Sequence, residues 1–310
     1  MTPRQHSDFL PAGWLGFELS ILRRLQFRSL VNPLAGESDL DVYLKRWGVR
    51  VSANDPAQWA FTRSRARVEN NSERLTEDDV ETVLDDAYVP HHRLQNPGLR
   101  RWFGETDAWW FDNVRTNAEK IDSPHKRAVA LHLGMLVGDY ALSFDEETRE
   151  LRQPLSRVFR RLWDTEAPPV DNRQRNTSAN KNARDFLSRE QADLLFLRLP
   201  RPTRSGARHA PWAWREVWVR GGETFWDEYE LAHEGGPGAR AATRRQYLRH
   251  VEEILDAASH LSAWAVAHVE DGFVSTDELV ETIRQRRRVG TIYTKDFSEL
   301  TGSRAAIITA

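Results

Sequence analysis

The chain contains no cysteine. Disulfides, thiolate metal sites and cysteine nucleophiles are thereby excluded together, and a reducing cytoplasm is the expected setting. No apolar run approaches the ~18 residues that a membrane helix needs, and Met1-Thr2-Pro3-Arg4-Gln5-His6 lacks the form of a signal peptide. No membrane partner is expected. Neither a glycine-rich phosphate loop ending in Lys-Ser/Thr nor a Gly-x-Ser-x-Gly elbow occurs. His91, His92, His125 and His132 follow no metal-ligand spacing, so no metal site is expected.

What is present suffices for a sizeable core. A chain of 310 residues with 40% hydrophobic content suits one large α/β domain or two smaller ones. The net charge of −2 hides a segregation: residues 149–215 carry 15 Lys/Arg against 7 Asp/Glu, which is +8, leaving about −10 for the rest. A surface facing phosphates would look like this, and so would a solvated arginine-rich surface. The chain also has 12 tryptophans. Trp102, Trp109, Trp110, Trp212, Trp214, Trp218 and Trp226 gather in two stretches, and core or partner-facing positions are expected for most of them. Base stacking is the alternative for one or two.

The pattern opens as a nucleotide-binding βαβ unit. Phe27–Val31 is a short apolar strand, Asn32–Ser38 a small-residue turn and Leu40–Trp47 a helix; Val49–Ala53 is a second strand ending at Asn54-Asp55-Pro56. Gln58–Asn71 is a second helix. From about Thr76 the spacing is helical, with Trp109–Ile121, His125–Leu142 and the basic amphipathic Leu151–Trp163, then a loop over Pro168–Ala179. Strands return at Leu194–Leu199, Ala263–Val269, Val289–Thr294 and Ala305–Thr309. Between them lie a turn-rich stretch over Gly221–Gly238 and the helices Arg240–Leu261 and Thr276–Arg287. Thr76 and Ser275 or Thr276 have the form of helix caps followed by acids. Arg284–Arg288 places four arginines at a helix end, explained by the helix dipole or by phosphate contact.

Several local strings occur in a meaningful order. Trp14-Leu15-Gly16-Phe17-Glu18 is followed by Asn32-Pro33-Leu34-Ala35-Gly36-Glu37-Ser38, then Asn54-Asp55 and Glu69-Asn70-Asn71. Asn180-Lys181-Asn182-Ala183-Arg184-Asp185-Phe186-Leu187 precedes the strand at Leu194, and Asp271-Gly272 precedes Ser275-Thr276-Asp277-Glu278-Leu279. This collinear series resembles the S-adenosylmethionine-dependent adenine-specific DNA methyltransferases of the Dam-like group, over roughly residues 13–293. The resemblance implies an α/β fold, a Rossmann-like class I methyltransferase mixed sheet with a large helical insertion. Its halves would be residues 1–75 and 180–310, around an insertion at 76–179 that would recognise DNA or a partner. Cofactor contacts would fall on Gly16, Asn32, Ala35, Gly36, Asp55 and Asn182, with Asp55 on the ribose or, alternatively, capping the next helix.

The same resemblance places the catalytic Asp-Pro-Pro-Tyr tetrad at Arg198, Leu199, Pro200 and Arg201. An exocyclic amine is a poor nucleophile because its lone pair is delocalised into the base. The family's acid and proline carbonyl accept the amine hydrogens, while the aromatic stacks on the flipped base. A guanidinium only donates and stays charged, so Arg198 cannot take the acid's place. Asn32, Ser38, Glu18 and Asn182 likewise replace an acid, a glycine, a lysine and an acid. The expectation is a degenerate homologue in DNA modification, restriction or phage defence, binding S-adenosylmethionine weakly or not at all. Double-stranded DNA would meet Arg157, Arg160, Arg161, Arg198, Arg201, Arg204 and Arg208, and an active methyltransferase or a restriction or defence subunit could be a partner. The alternatives are an active divergent methyltransferase with its acceptor supplied by Asp193, Asn182 or a partner, and a protein-interaction scaffold.

Overall fold

The computed structural model describes residues 13–91, 93–201, 206–232, 241, 243–270, 273–297 and 304–310. Arg204, Asp271 and Gly272 lie outside them. Seven strands form one sheet: β1 (Ser29–Asn32), β2 (Arg50–Asn54), β3 (Thr177–Ala179), β4 (Leu194–Arg198), β5 (Ala263–Glu270), β6 (Ile292–Asp296) and β7 (Arg304–Thr309). Their order is β3-β2-β1-β4-β5-β7-β6. The first five are parallel, and β7 runs antiparallel to both β5 and β6. The chain is thus α/β with a mixed sheet, an arrangement compatible with a Rossmann-like fold.

The central strands are apolar runs because both faces are covered. Side chains alternate across the pleat. Leu30, Leu194, Phe196 and Ala265 face α1 (Trp14–Leu22) and α2 (Asp39–Arg46). Val31, Leu195, Leu197 and Val266 face α8 (Ala183–Leu187), α11 (Arg244–Ala257) and α12 (Thr276–Arg284). Ser275 caps α12 in a reciprocal capping box with Glu278. The proposed loop at 168–179 ends in a strand. Thr177–Ala179 pairs with β2 as a short polar edge strand, which apolar periodicity does not reveal.

The remaining helices build a lobe with its own core. They are α3 (Gln58–Ser64), continued by a π turn over Arg65–Glu69, α4 (Glu77–Leu84), α5 (Glu105–Ala118), α6 (Pro124–Leu142) and α7 (Leu155–Thr165). Thr76 caps α4 in a capping box with Asp79. The lobe is not confined to 76–179. Its core includes Trp59 and Ala66, and also Trp214 and Trp218 of α9 (Ala213–Arg220). These two indoles lie on α6 over Gly138 and Gly134, where a methyl group would overlap the rings. Trp218 also donates to the Phe111 carbonyl at 2.7 Å. The tryptophans grouped by sequence are therefore largely core: Trp109, Trp110, Trp214, Trp218 and Trp226 are all buried. The stretch after Gly221 contains a further helix, α10 (Trp226–Ala232). No helix among the described residues is long and apolar enough to cross a membrane.

Candidate functional site

In parallel α/β sheets the usual ligand crevice lies at the carboxyl ends of the strands. Here β1 ends at Asn32, β2 at Asn54 and β4 at Arg198. The turn after β1 uses left-handed backbone at Gly36 (φ 54°) and at Ser38 (φ 59°). Asn54 Nδ2 donates to the carbonyls of Pro33 and Lys181, both at 3.0 Å, and Asn180 Nδ2 donates to those of Asp55 and Pro56 at 2.8 and 2.9 Å. Two side-chain amides thus tie together the loops that follow β1, β2 and β3.

Asp55 uses both carboxylate oxygens locally. Oδ2 accepts the Gly36 N–H and Oδ1 the Ala57 N–H, each at 2.9 Å, just ahead of α3. Burial pushes its pKa up to about 7, opposed by those two amides. Asn32 turns its amide onto both oxygens of Asp41 at 3.1 Å. Asp41 is fully buried, and burial raises its pKa to about 7 against the Asn32 hydrogen bond and the charge of Arg198.

Arg198 points into the same space. Its Nε and Nη2 donate to Glu18 Oε1 and Oε2 at 2.8 and 2.6 Å. Glu18 has no exposed surface and also accepts from Trp14 Nε1 at 2.6 Å. Burial works against the Arg198 charge, but the Glu18 carboxylate outweighs it and its pKa is raised. Leu199 is buried and donates its N–H to the Ala267 carbonyl at 2.9 Å. The Pro200 carbonyl accepts from the Tyr247 hydroxyl at 2.9 Å. Arg201 lines, with Tyr247 and His268, a recess of only about 10 Å³.

A second polar layer closes the crevice beneath the helical lobe. Glu37 pairs with Arg63 and, at 2.6 Å, with Arg215, which also holds Asp139 at 2.8 Å. Arg67 pairs with Asp39 at 2.6 Å. Glu216 is fully buried and accepts the N–H groups of Gln58 and Trp59 at 2.9 Å, so α9 caps the start of α3. His132 is buried beside Arg63, Arg67 and Arg215, and burial holds its pKa well below the ordinary value. Among the described residues, no cluster of His, Asp and Glu could hold a metal ion.

The other expected positions scatter. Gly16 lies on the exposed side of α1, two residues from the inward-facing Glu18, while Ala35 is buried beside Gly36. Asn182 Oδ1 accepts the Arg184 N–H at 3.0 Å, capping α8. Asp193 is at the far edge of the sheet, where it accepts the N–H groups of Arg28 and Ser29 at 2.8 and 2.9 Å. It is therefore no substitute for an acceptor at Arg198, because Asp193 immediately precedes β4 and Arg198 ends it. Arg157, Arg160 and Arg161 are on α7, where Arg160 pairs with Glu77 and Arg161 lies over the Tyr140 ring. Arg208 pairs with Asp227 at 2.7 Å. Asp41, Arg63, Arg215 and Glu216 were not singled out by sequence. The only hint was an acid flanked by Leu40 and Val42 on a helix with one apolar face.

Asp41 makes the site pH-sensitive. Its folded pKa, about 7, stands above the 3.8 of an unperturbed aspartate. The folded chain therefore holds a proton that the unfolded chain releases. Stability from this group is complete below about pH 4 and is lost as pH rises through about 7, amounting to ~2–4 kcal/mol. Asp41→Asn should narrow the difference in urea midpoint between pH 5 and pH 8. An unchanged difference would show Asp41 ionised throughout.

No protein-family model matches the chain, and no curated protein matches it.

Proposed function

We propose that the chain is a catalytically inert relative of the adenine-specific DNA methyltransferases, acting as a DNA-binding or partner-binding subunit. The observation that carries this reading is the Arg198–Glu18 pair. The resemblance makes position 18 a lysine and position 198 an acid. Here both signs are exchanged, and the two side chains meet in a bidentate contact. A coupled exchange of this kind keeps the site neutral while removing the acceptor that methyl transfer to an amine requires. The sheet supports the same reading. Five parallel strands in the order 3-2-1-4-5, with an antiparallel strand beside β5, make a mixed sheet compatible with the Rossmann-like fold that the resemblance implies.

The residues present do not fit the methionine end of S-adenosylmethionine. A sulfonium is cationic and would meet a guanidinium, and the Asn32 amide and the Glu18 carboxylate are already engaged; at the ribose position both oxygens of Asp55 are taken by main-chain N–H groups. The active-enzyme alternative needs another acceptor within reach. Asp193 is at the opposite edge and Asn182 caps a helix, so neither favours it.

Calorimetry with S-adenosylmethionine, together with transfer of a labelled methyl group to duplex DNA, tests the proposal. No saturable heat and no label in the DNA are expected. Robust transfer that disappears in Arg198→Ala would overturn it. A restriction or defence role would follow from the partner that such an inert subunit accompanies.

A further inference from the structure

The opposite edge of the sheet, where the strands begin, has a different electrostatic character. The loops entering that edge are residues 23–28, 46–50, 171–176, 188–193, 257–263 and 285–291, and they hold 11 arginines and 3 acids. The register brings them together: Ser29 lies beside Arg50, Leu30 beside Leu194, Leu194 beside Ala263, and Ile292 beside Ile308. Arginines from five separate stretches thus share one edge, a gathering that only the fold displays.

These arginines are not neutralised. Among the described residues, Arg286 alone of the 11 forms an ion pair, with Asp256 at 2.6 Å and Glu252 at 3.6 Å. Of the three acids, Asp193 is engaged by main-chain N–H groups and Asp171 accepts the Arg173 N–H at 2.9 Å. The third, Glu190, is half-buried. The arginines of the crevice, Arg63, Arg198 and Arg215, all face carboxylates instead.

Helix dipoles explain only some of the charge. Arg23 and Arg288 follow helix ends, but Arg28 and Arg175 precede strands and Arg50 begins one. Four guanidiniums lie on aromatic rings: Arg23 on Trp47 at 4.9 Å, Arg24 on Tyr293 at 5.5 Å, Arg46 on Tyr43 at 5.3 Å and Arg287 on Trp264 at 4.3 Å. Stacking orders these groups; Arg287 spends its Nη2 on the Ser259 and Leu261 carbonyls, at 3.1 and 2.6 Å, and it is Arg23, Arg24 and Arg46 that turn their N–H edges to an anion. A cleft of about 380 Å³, lined by Leu25, Phe27, Trp264, Arg288 and Val289 among others, opens within the same edge.

We propose that this amino-terminal edge of the sheet is the surface that binds nucleic-acid phosphates. The proposal takes its class of partner from the DNA-binding reading above, but not from the loss of catalysis. Seven strands ~4.8 Å apart make an edge of about 30 Å, close to the ~34 Å of one duplex turn. A membrane surface fits less well. The most exposed large apolar residues, Leu151 and Leu231, lie in the helical part, and this edge adds only the partly exposed Tyr43 and Ile292.

The test is fluorescence anisotropy with a labelled duplex of about 20 base pairs across a salt series. Two charge-reversal triples are compared: Arg24→Glu, Arg28→Glu and Arg288→Glu at the edge, and Arg157→Glu, Arg160→Glu and Arg161→Glu on α7. The edge triple should bind ~100-fold more weakly and flatten the logarithmic salt slope by about 2–3, and the α7 triple should stay within ~3-fold of the parent. A melting curve like the parent's confirms folding. Should the edge triple fail to fold, the milder pair Arg28→Ala and Arg175→Ala should still lower the slope by about 2. Unchanged binding by the edge variants overturns the surface assignment alone. No duplex binding by the parent chain overturns the DNA-binding reading itself.

Discussion

Arg198→Ala is expected to cost about 3–5 kcal/mol of folding stability at neutral pH, because it leaves Glu18 as an uncompensated buried charge. Glu18 has no exposed surface, and besides Arg198 it is met by the Trp14 indole N–H at 2.6 Å. Replacing both residues, Glu18→Met with Arg198→Met, should cost less than Arg198→Ala alone, since well-packed apolar side chains commonly substitute for a buried pair. Denaturant midpoints for the two single variants and the double variant give the coupling directly. If the effects simply add, the pair is not the unit that fills the crevice. The result also separates two views of position 198. An arginine poised for DNA would be removed with little loss of stability.

The second large effect belongs to Glu216. Its carboxylate accepts two main-chain N–H groups at the start of α3 and the Arg220 Nε at 2.6 Å. Ala57, at the N-cap position of α3, offers no side-chain cap of its own. Glu216→Ala would strand two amides and a guanidinium, and a loss of about 3–5 kcal/mol is expected. Glu216→Gln, which keeps a neutral acceptor, should lose less. Because Trp214 and Trp218 share α9, tryptophan emission should report loosening of that helix in the alanine variant. A variant within ~1 kcal/mol of the parent would mean that water takes over the capping.

Much of the sheet was legible because its strands are runs of branched and aromatic residues bounded by turns, as at Leu194–Leu199. The caps at Thr76 and Ser275 were legible because capping is local chemistry. β3 was not, since Thr177-Ser178-Ala179 is short and polar and gains its order only from the β2 edge. In the site, the loss of an acceptor at Arg198 could be read from residue type alone. Its direction could not, because that depends on Glu18, 180 residues away in sequence. Asp41 and Glu216 escaped notice for a related reason. A carboxylate on a helix is ordinarily solvated, and only the packing of α2 and α9 shows these two to be enclosed.

Gly134 and Gly138 have a consequence for the order in which the molecule can be completed. Their bare backbone on α6 is a socket that stays empty until Trp214 and Trp218 have been synthesised, about 80 residues later. Between socket and plug the chain lays down β3 and β4, which belong to the sheet. The lobe is therefore sealed by residues that follow a central strand of the sheet, a long-range contact of the slow kind. Excised at its apparent borders, the lobe would keep its helices and lose the two indoles that seal them.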